Sequence, residues 1–381
     1  MLILAMLSVL IWLGLLLFWG GFWCADQRLG EGKPPAQWPE VVAVIPARDE
    51  AETIETVLSA HGKSQYPGKF SVIVVDDSSS DGTEEIARGV QSTRAIHVLG
   101  APEIEAGWTG KLWALQQGTQ AIPDLAPGAA YVLLTDADIL HGPETLANLV
   151  AKAEAEDLGL LSLMARLDRR GIWGRILIPA FVFFFQKLYP FPLVNDPAKE
   201  MAAAAGGCVL LKREALEAIG GIASIRTALI DDCALAAKVK GAGYPIWLGL
   251  AHQEVLSLRD NRALNAIWTM VARTAYTQLQ YSPWLLAGSM MGMAVLYLAG
   301  PVTFGLGFVI ESSAWVAAGA VAWALSAVAY WPTANLYRLM PVEALALPFA
   351  ALLYMAMTLD SAWHHRQGTG GAWKGRVYPK T

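Results

Sequence analysis

The chain has 381 residues, 55% of them apolar and only 16% charged, with 15 Trp, a balance that points to membrane-spanning segments with interfacial aromatics rather than to an ordinary soluble protein. A net charge of −5 gives no basic footprint for nucleic acid, so no nucleic-acid partner is expected. The three cysteines, Cys24, Cys208 and Cys233, form no close pair and no C-x-x-C, which argues against a zinc site or a disulfide framework. Charged residues concentrate between Asp26 and Arg273 and nearly vanish on either side, which divides the chain into anchor, soluble domain and anchor.

Residues 1–25 carry no charge before Asp26, and Leu2 to Trp23 is about long enough to cross a hydrocarbon core as a helix. Without a basic n-region, a retained span is expected rather than a cleaved signal peptide. Arg28 and Lys33 follow it, so the positive-inside tendency puts the next domain in the cytoplasm of a bacterial-type inner membrane. Residues 26–40 form a linker, irregular where Pro34, Pro35 and Pro39 fall.

From Val41 short apolar strands alternate with amphipathic helices, the pattern of a mostly parallel α/β sheet with helices on both faces, and this domain is expected over 41–255. Strands are expected at Val41 to Ile45, closed by Pro46, and at Phe70 to Val75, Ala95 to Leu99, Tyr131 to Thr135, Leu158 to Ala165, Ala202 to Leu211 and Tyr244 to Leu250. Helices are expected after Asp49 as a cap, from Glu84, and over Lys111 to Gln120, Pro143 to Glu154 and Arg213 to Ile219, with a last one opening at Asp231-Asp232 and ending at Gly241 or Gly243.

Residues 171–192 are aromatic and apolar but interrupted by Arg175, Pro179 and Lys187; they read as an interfacial amphipathic segment, or equally as a buried hydrophobic helix pair. A juxtamembrane region is expected over 256–283 and spans over 284–363, at Trp284 to Ile310, Ser313 to Trp331 and Val342 to Leu359. Three spans would put the basic tail 364–381 outside; a re-entrant first segment, suggested by Pro301 and its glycines, would return it to the cytoplasm.

Four acidic or mixed elements fall at expected strand ends: Pro46-Ala47-Arg48-Asp49-Glu50, Asp76-Asp77, Asp136-x-Asp138 and Asp231-Asp232. Singly, each has an ordinary explanation as a turn or helix cap. Together, at the carboxyl edge of an open sheet, they describe a site for a cation-bridged diphosphate. Strand alternation would place Asp136 and Asp138 on one side, where hard carboxylate oxygens suit Mg²⁺ or Mn²⁺ with substrate phosphates completing the shell.

The ordered motifs V-I-P-A-R-D-E-A, V-V-D-D-S-S-S-D-G-T, G-K-L-W-A-L, T-D-A-D, A-G-G-C-V-L-L-K-R-E-A-L-E-A-I-G-G and I-D-D-C-A-L-A resemble a family 2 glycosyltransferase of the GT-A fold. The flanking spans and the stretch Ala266 to Leu279 are most similar to its hopene-associated branch. The resemblance implies a nucleotide-sugar donor, UDP-linked, and a lipid acceptor, a hopanoid or else a sphingolipid-like or polyprenyl-phosphate lipid. It implies that Pro46, Ala47, Arg48, Glu50, Asp76 and Asp77 bind the nucleotide, Asp77 meeting the base. Lys111 would approach the ribose or diphosphate, Asp136 the sugar nucleotide, and Asp138, with Asp136, the metal. Asp232 would be the general base, beside Asp231 where the family carries Glu. Arg273 would bind diphosphate, although Thr274 stands where the family's Q/R-x-x-R-W motif has tryptophan. The competing reading from another class is a non-catalytic membrane scaffold or transporter component with a degenerate transferase domain.

Overall fold

A computed structural model describes residues 1–370, so the tail motif Trp373 to Tyr378 lies outside the described residues. The chain divides into two compact units: one of residues 27–167 and 193–259, the other of residues 1–26, 168–192 and the described residues from 260 on.

The first unit is built on nine strands: β1 (Glu40–Ala47), β2 (Phe70–Asp76), β3 (Ala95–Gly100), β4 (Ala129–Thr135), β5 (Ile139–His141), β6 (Leu160–Met164), β7 (Cys208–Lys212), β8 (Ile246–Leu250) and β9 (Val255–Ser257). Seven form one sheet in the order β3-β2-β1-β4-β7-β6-β8, and β5 pairs with β9 in a separate two-stranded sheet. All pairs in the large sheet are parallel except those of β7, which runs antiparallel to β4 and β6. The mostly parallel α/β sheet is therefore present. Val41 to Ile45 and Val72 to Val75 are fully buried, which is why these strands read as continuous apolar runs rather than as alternation.

Three local expectations are corrected. Pro46 does not close β1, which continues to Ala47; pairing with β4 ends at Val44↔Leu134, so the missing N–H of Pro46 removes no ladder bond on that side. Asp49 caps no helix, since the next one is Ile54–Gly62. Asp136 and Asp138 lie not on an extended strand but in a turn between β4 and β5, closed by Ile139 N–H donating to Asp136 O at 3.1 Å. The short β5–β9 sheet has no counterpart in the sequence reading, because three residues are too few to show a period. At the start of the linker, Leu250 N–H donates to Gln27 O at 2.8 Å, extending the edge beyond β8.

In the second unit, four helices are long and apolar enough to cross a membrane: Gly171–Leu188, Pro283–Val309, Ser313–Leu336 and Pro341–Arg366. The N-terminal helix Leu2–Phe18 is shorter than the expected span because Gly20 and Gly21 turn the chain in the left-handed region. Residues 171–188 form one helix running through Pro179, not a pair. It carries polar ties into the unit: Arg175 pairs with Glu343, Gln186 Nε2 donates to Thr333 Oγ1 at 3.0 Å and Lys187 Nζ to Tyr297 Oη at 2.8 Å. Pro283–Val309 is a continuous helical segment through Pro301, with a π-helical turn at Ala294–Leu298. Within that turn, Leu296 O accepts from Trp12 Nε1 at 2.9 Å and Ser8 Oγ at 3.3 Å. Such turns leave carbonyls for other partners. Its second half packs closely on Ser313–Leu336: a Cβ on Gly319 would stand 2.7 Å from Phe304 Cα and 2.8 Å from Gly300 O, the small-residue contact that lets apolar helices approach.

Candidate active site

Two loops at the carboxyl ends of β1 and β2 are stitched together by backbone and side-chain bonds, among them those of Arg48 and Asp77, which the sequence reading assigned to the nucleotide. Asp77 N–H donates to Ala47 O at 2.8 Å, and Arg48 Nη1 donates to Asp77 O at 2.5 Å and lies 3.7 Å from Asp77 Oδ2. Asp49 N–H donates to Ser79 Oγ at 2.9 Å while its carboxylate accepts from Ser80 N–H at 2.8 Å, and Glu50 N–H donates to Thr83 Oγ1 at 2.8 Å. Asp49 and Ser78 sit at φ 50 and 56, a conformation that costs non-glycine residues of order 1–3 kcal/mol and persists only when surrounding bonds over-determine it. Asp76 and Asp77 are buried; Asp76 Oδ2 accepts from Ser79 N–H at 3.0 Å, whereas Oδ1 is buried with no partner among the described residues.

The second half of the site gathers around Lys111, in the first turn of helix Gly110–Gln120. Its Nζ lies 2.9 Å from Asp136 Oδ1 and 3.2 Å from Asp231 Oδ2. Asp231 and Asp232 open helix Asp231–Gly241, so their position at its positive end is favourable. Asp232 accepts at both oxygens from backbone amides, Gly206 N–H on Oδ2 at 2.8 Å and Cys233 N–H on Oδ1 at 2.8 Å. Gly206 lies close against the cluster: a Cβ there would stand 3.2 Å from Lys111 Nζ and 3.4 Å from Asp232 Oδ2. Lys111, Thr135, Asp136, Gly206, Asp231 and Asp232 line one pocket whose remaining wall is aliphatic, from Leu112, Leu115, Leu134, Val209, Ile222, Ile225 and Leu235.

That wall sets the electrostatics. Burial, then the neighbouring Asp231, pushes the Asp232 carboxyl up to about 6, against the opposing pull of Lys111 and the two amides. Burial also raises Asp136, opposed by Lys111 and reinforced by Asp138 and Asp231. For Lys111 burial acts downward, but Asp136 and Asp231 outweigh it and hold the ammonium above its ordinary value. Asp138 is apart from this cluster of ion pairs: it is 7% exposed, and Arg259 Nε stands 3.2 Å from its Oδ2.

The structure thus brings Lys111, Asp136, Asp231 and Asp232 into one pocket and knits residues 46–50 to 76–83. Arg273 belongs to the helical unit, just after helix Leu264–Ala272. The sequence reading missed Arg259, Gly206 as an amide donor and the Ile222–Ile225 wall. The paired glycines of Ala205-Gly206-Gly207-Cys208 were a visible signal; nothing local marked Arg259. Among the described residues no three His, Cys, Asp or Glu side chains converge as a metal cage. The Asp136 and Asp138 carboxylates on one turn fit instead the mode in which one or two protein oxygens share a cation with substrate phosphates.

An α/β sheet of this order, with acidic residues at the ends of its strands around a lysine-bridged pocket, is the architecture of a GT-A-type nucleotide-sugar transferase. The family model for glycosyl transferase family 21 matches residues 18–379, and the chain belongs to that family. It is 22% identical to the mannosyltransferase PcManGT from Pyrobaculum calidifontis over 95% of this chain and 98% of that one, with a TM-score of 0.57, a likeness of fold. It is 35% identical to the glycosyltransferase AglE of Haloferax volcanii over 22% of this chain and 28% of the relative. To the succinoglycan biosynthesis protein ExoA of Rhizobium meliloti it is 26% identical, over 54% of this chain and 59% of the relative. The chain thus spans only part of the length of these curated relatives.

Proposed function

We propose that this protein is a membrane-bound inverting glycosyltransferase that moves a sugar from a nucleoside diphosphate donor, a UDP-sugar, to the hydroxyl of a lipid acceptor of the hopanoid class. The observation that carries the reading is Asp232: a carboxylate locked by two backbone amides, raised to about 6, in the same pocket as Asp136. In a single displacement the acceptor oxygen attacks the anomeric carbon as the bond to the diphosphate oxygen breaks, so the configuration inverts. Asp232 takes the proton of the acceptor hydroxyl, and a base with a value near the working pH is well matched to that transfer.

Lys111 would turn from Asp136 and Asp231 to the diphosphate and balance its charge. The unpartnered Asp76 Oδ1 suits a donor group of the base or ribose, since buried acceptors are rarely left unpaired. Asp77, Pro46, Ala47, Arg48 and Glu50 shape the same nucleotide pocket, and Arg273 is the proposed further diphosphate contact. Asp138, with Asp136, would hold Mg²⁺ or Mn²⁺, which when bound neutralises charge on the leaving diphosphate; Arg259 would yield one Asp138 oxygen. The similar mannosyltransferase was solved with GDP-Man and Mn²⁺, which supports both a sugar nucleotide and a divalent cation. The four apolar helices support a multi-pass place in the inner membrane, and Arg28 and Lys33 support a cytoplasmic site. Both favour a lipid acceptor.

The test is a screen of purified protein in nanodiscs with Mn²⁺ or Mg²⁺. Donors are UDP-glucose, UDP-N-acetylglucosamine and GDP-mannose; acceptors are a hopanoid, a sphingolipid-like lipid and a polyprenyl phosphate, with products read by mass spectrometry. Transfer to the hopanoid, together with Asp138→Ala losing metal-dependent nucleotide binding, is expected. Transfer only to another lipid overturns the acceptor class; no transfer, with nucleotide binding by Asp138→Ala unchanged, overturns the whole reading.

A further inference from the structure

The segment that offers its amide to Asp232 leads into β7 and is itself held by two buried hydroxyls on the strands that flank β7. Ser162, in the middle of β6, has no solvent exposure; its Oγ accepts from Ala205 N–H at 2.9 Å and donates to Ala205 O at 3.2 Å. Ala205 O and Gly206 N–H belong to one planar peptide unit. Fixing the carbonyl therefore fixes the direction of the N–H that reaches Asp232.

Thr135 ends β4, is 1% exposed and donates to Gly207 O at 2.7 Å. Its one proton is committed there, so the 2.9 Å contact with His141 Nε2 has the imidazole as donor. The complementary His141 Nδ1 is buried without a partner among the described residues. Burial, then His61 beside it, keeps His141 from charging. A chain of bonds thus runs from His141 through Thr135 to Gly207 O on one side of Gly206, while Ser162 grips Ala205 on the other.

We infer that Ser162 and Thr135 are positioning residues for the general base, holding residues 205–207 so that Gly206 N–H locks the Asp232 carboxylate in a single orientation. The inference rests on the assignment of Asp232 above. Thr135 lines the pocket beside Asp136, but both hydroxyls are bonded to the 205–207 backbone and not to Asp232, so each acts on the base through that backbone. A base able to rotate in its pocket would spend much of its time misaligned, and misplacement on the ångström scale is enough to cost about 10²-fold in rate.

The test uses the full chain in nanodiscs, with Thr135→Val and Ser162→Ala removing each hydroxyl and Thr135→Ser preserving one. Rates are counted per nucleotide-binding site, so loss of folded protein does not imitate the effect. The two deletions are expected to lower kcat by ~10-fold or more with donor KM within ~3-fold, since the interaction serves the transition state rather than donor binding. The acidic limb of kcat/KM moves to higher pH, because the carboxylate has lost a donor that favours its charged form, and Thr135→Ser restores both parameters. An unmoved limb with wild-type kcat in Thr135→Val and Ser162→Ala, or Thr135→Ser behaving like Thr135→Val, overturns the inference. Asp232→Asn separates the two assignments: if it stays active the base itself is misassigned, whereas an inactive Asp232→Asn beside unaffected hydroxyl variants removes only the positioning role.

Discussion

Asp232→Asn is isosteric, yet its effects on folding and on chemistry differ in size. Both carboxylate oxygens accept an amide at 2.8 Å, from Gly206 and from Cys233. Asn offers one acceptor oxygen and one NH₂, so one of the two amides must face a donor. Losing a bond to a charged acceptor is worth roughly 1.5–3 kcal/mol. Against this, burial disfavours the charged wild-type carboxylate, pushed up to about 6, and the neutral amide is free of that penalty. The opposing contributions leave a net destabilisation of about 1–2 kcal/mol, a few degrees in Tm for a domain of this size.

Removing a general base lowers the rate by about 10²–10⁴-fold, equivalent to ~2.7–5.5 kcal/mol in the barrier. The expected outcome is a folded protein that binds donor within ~3-fold of wild type by calorimetry and has lost at least ~100-fold in nucleoside diphosphate release and lipid product. A kcat within ~10-fold of wild type at pH 8 would refute the assignment and move the base to Asp231 or elsewhere.

The same carboxylate predicts two pH effects. Activity needs it ionised, so kcat/KM should rise from acid pH to a plateau above about 6; a profile with no acidic limb between pH 5 and 7 contradicts this. Stability runs the other way. An acid raised from 3.8 to about 6 in the folded state binds its proton more tightly there than when unfolded, so its contribution falls as pH rises through that window. Asp232→Asn should flatten that part of the stability curve measured by chemical denaturation. In the helical unit, Gly319→Val should lower Tm by several degrees, because Phe304 Cα and Gly300 O leave no room for a Cβ and overpacking costs ~1–3 kcal/mol; a wild-type Tm would mean the helices separate more easily than their packing implies.

Fold class was legible from the chain alone, because the patterns that declare it are local. Val41 to Ile45 and Phe70 to Val75 declare buried strands by continuous apolarity, and the charge-free flanks declare apolar helices. The acidic positions were equally visible, since Asp77, Asp136 and Asp231 end or follow such patterns. Short-range geometry was less legible. Alternation predicted a shared face for Asp136 and Asp138, but β4 stops at Thr135 and a turn takes over. Pro179 and Pro301 suggested breaks where the helices continue.

What sequence periodicity could not contain was the set of long-range partners. A pattern of residues reports which face is buried; it carries no term for which other segment covers it. Only the tertiary structure set Lys111 between Asp136 and Asp231, gave Arg259 to Asp138, and turned the Gly206 amide onto Asp232. Those choices follow from the crossing order of the sheet, which puts antiparallel β7 beside β4 and so carries the 205–207 backbone past Thr135 to the mouth of helix Asp231–Gly241. The residue types were determined locally; which of them share one electrostatic environment was decided by the order of the strands.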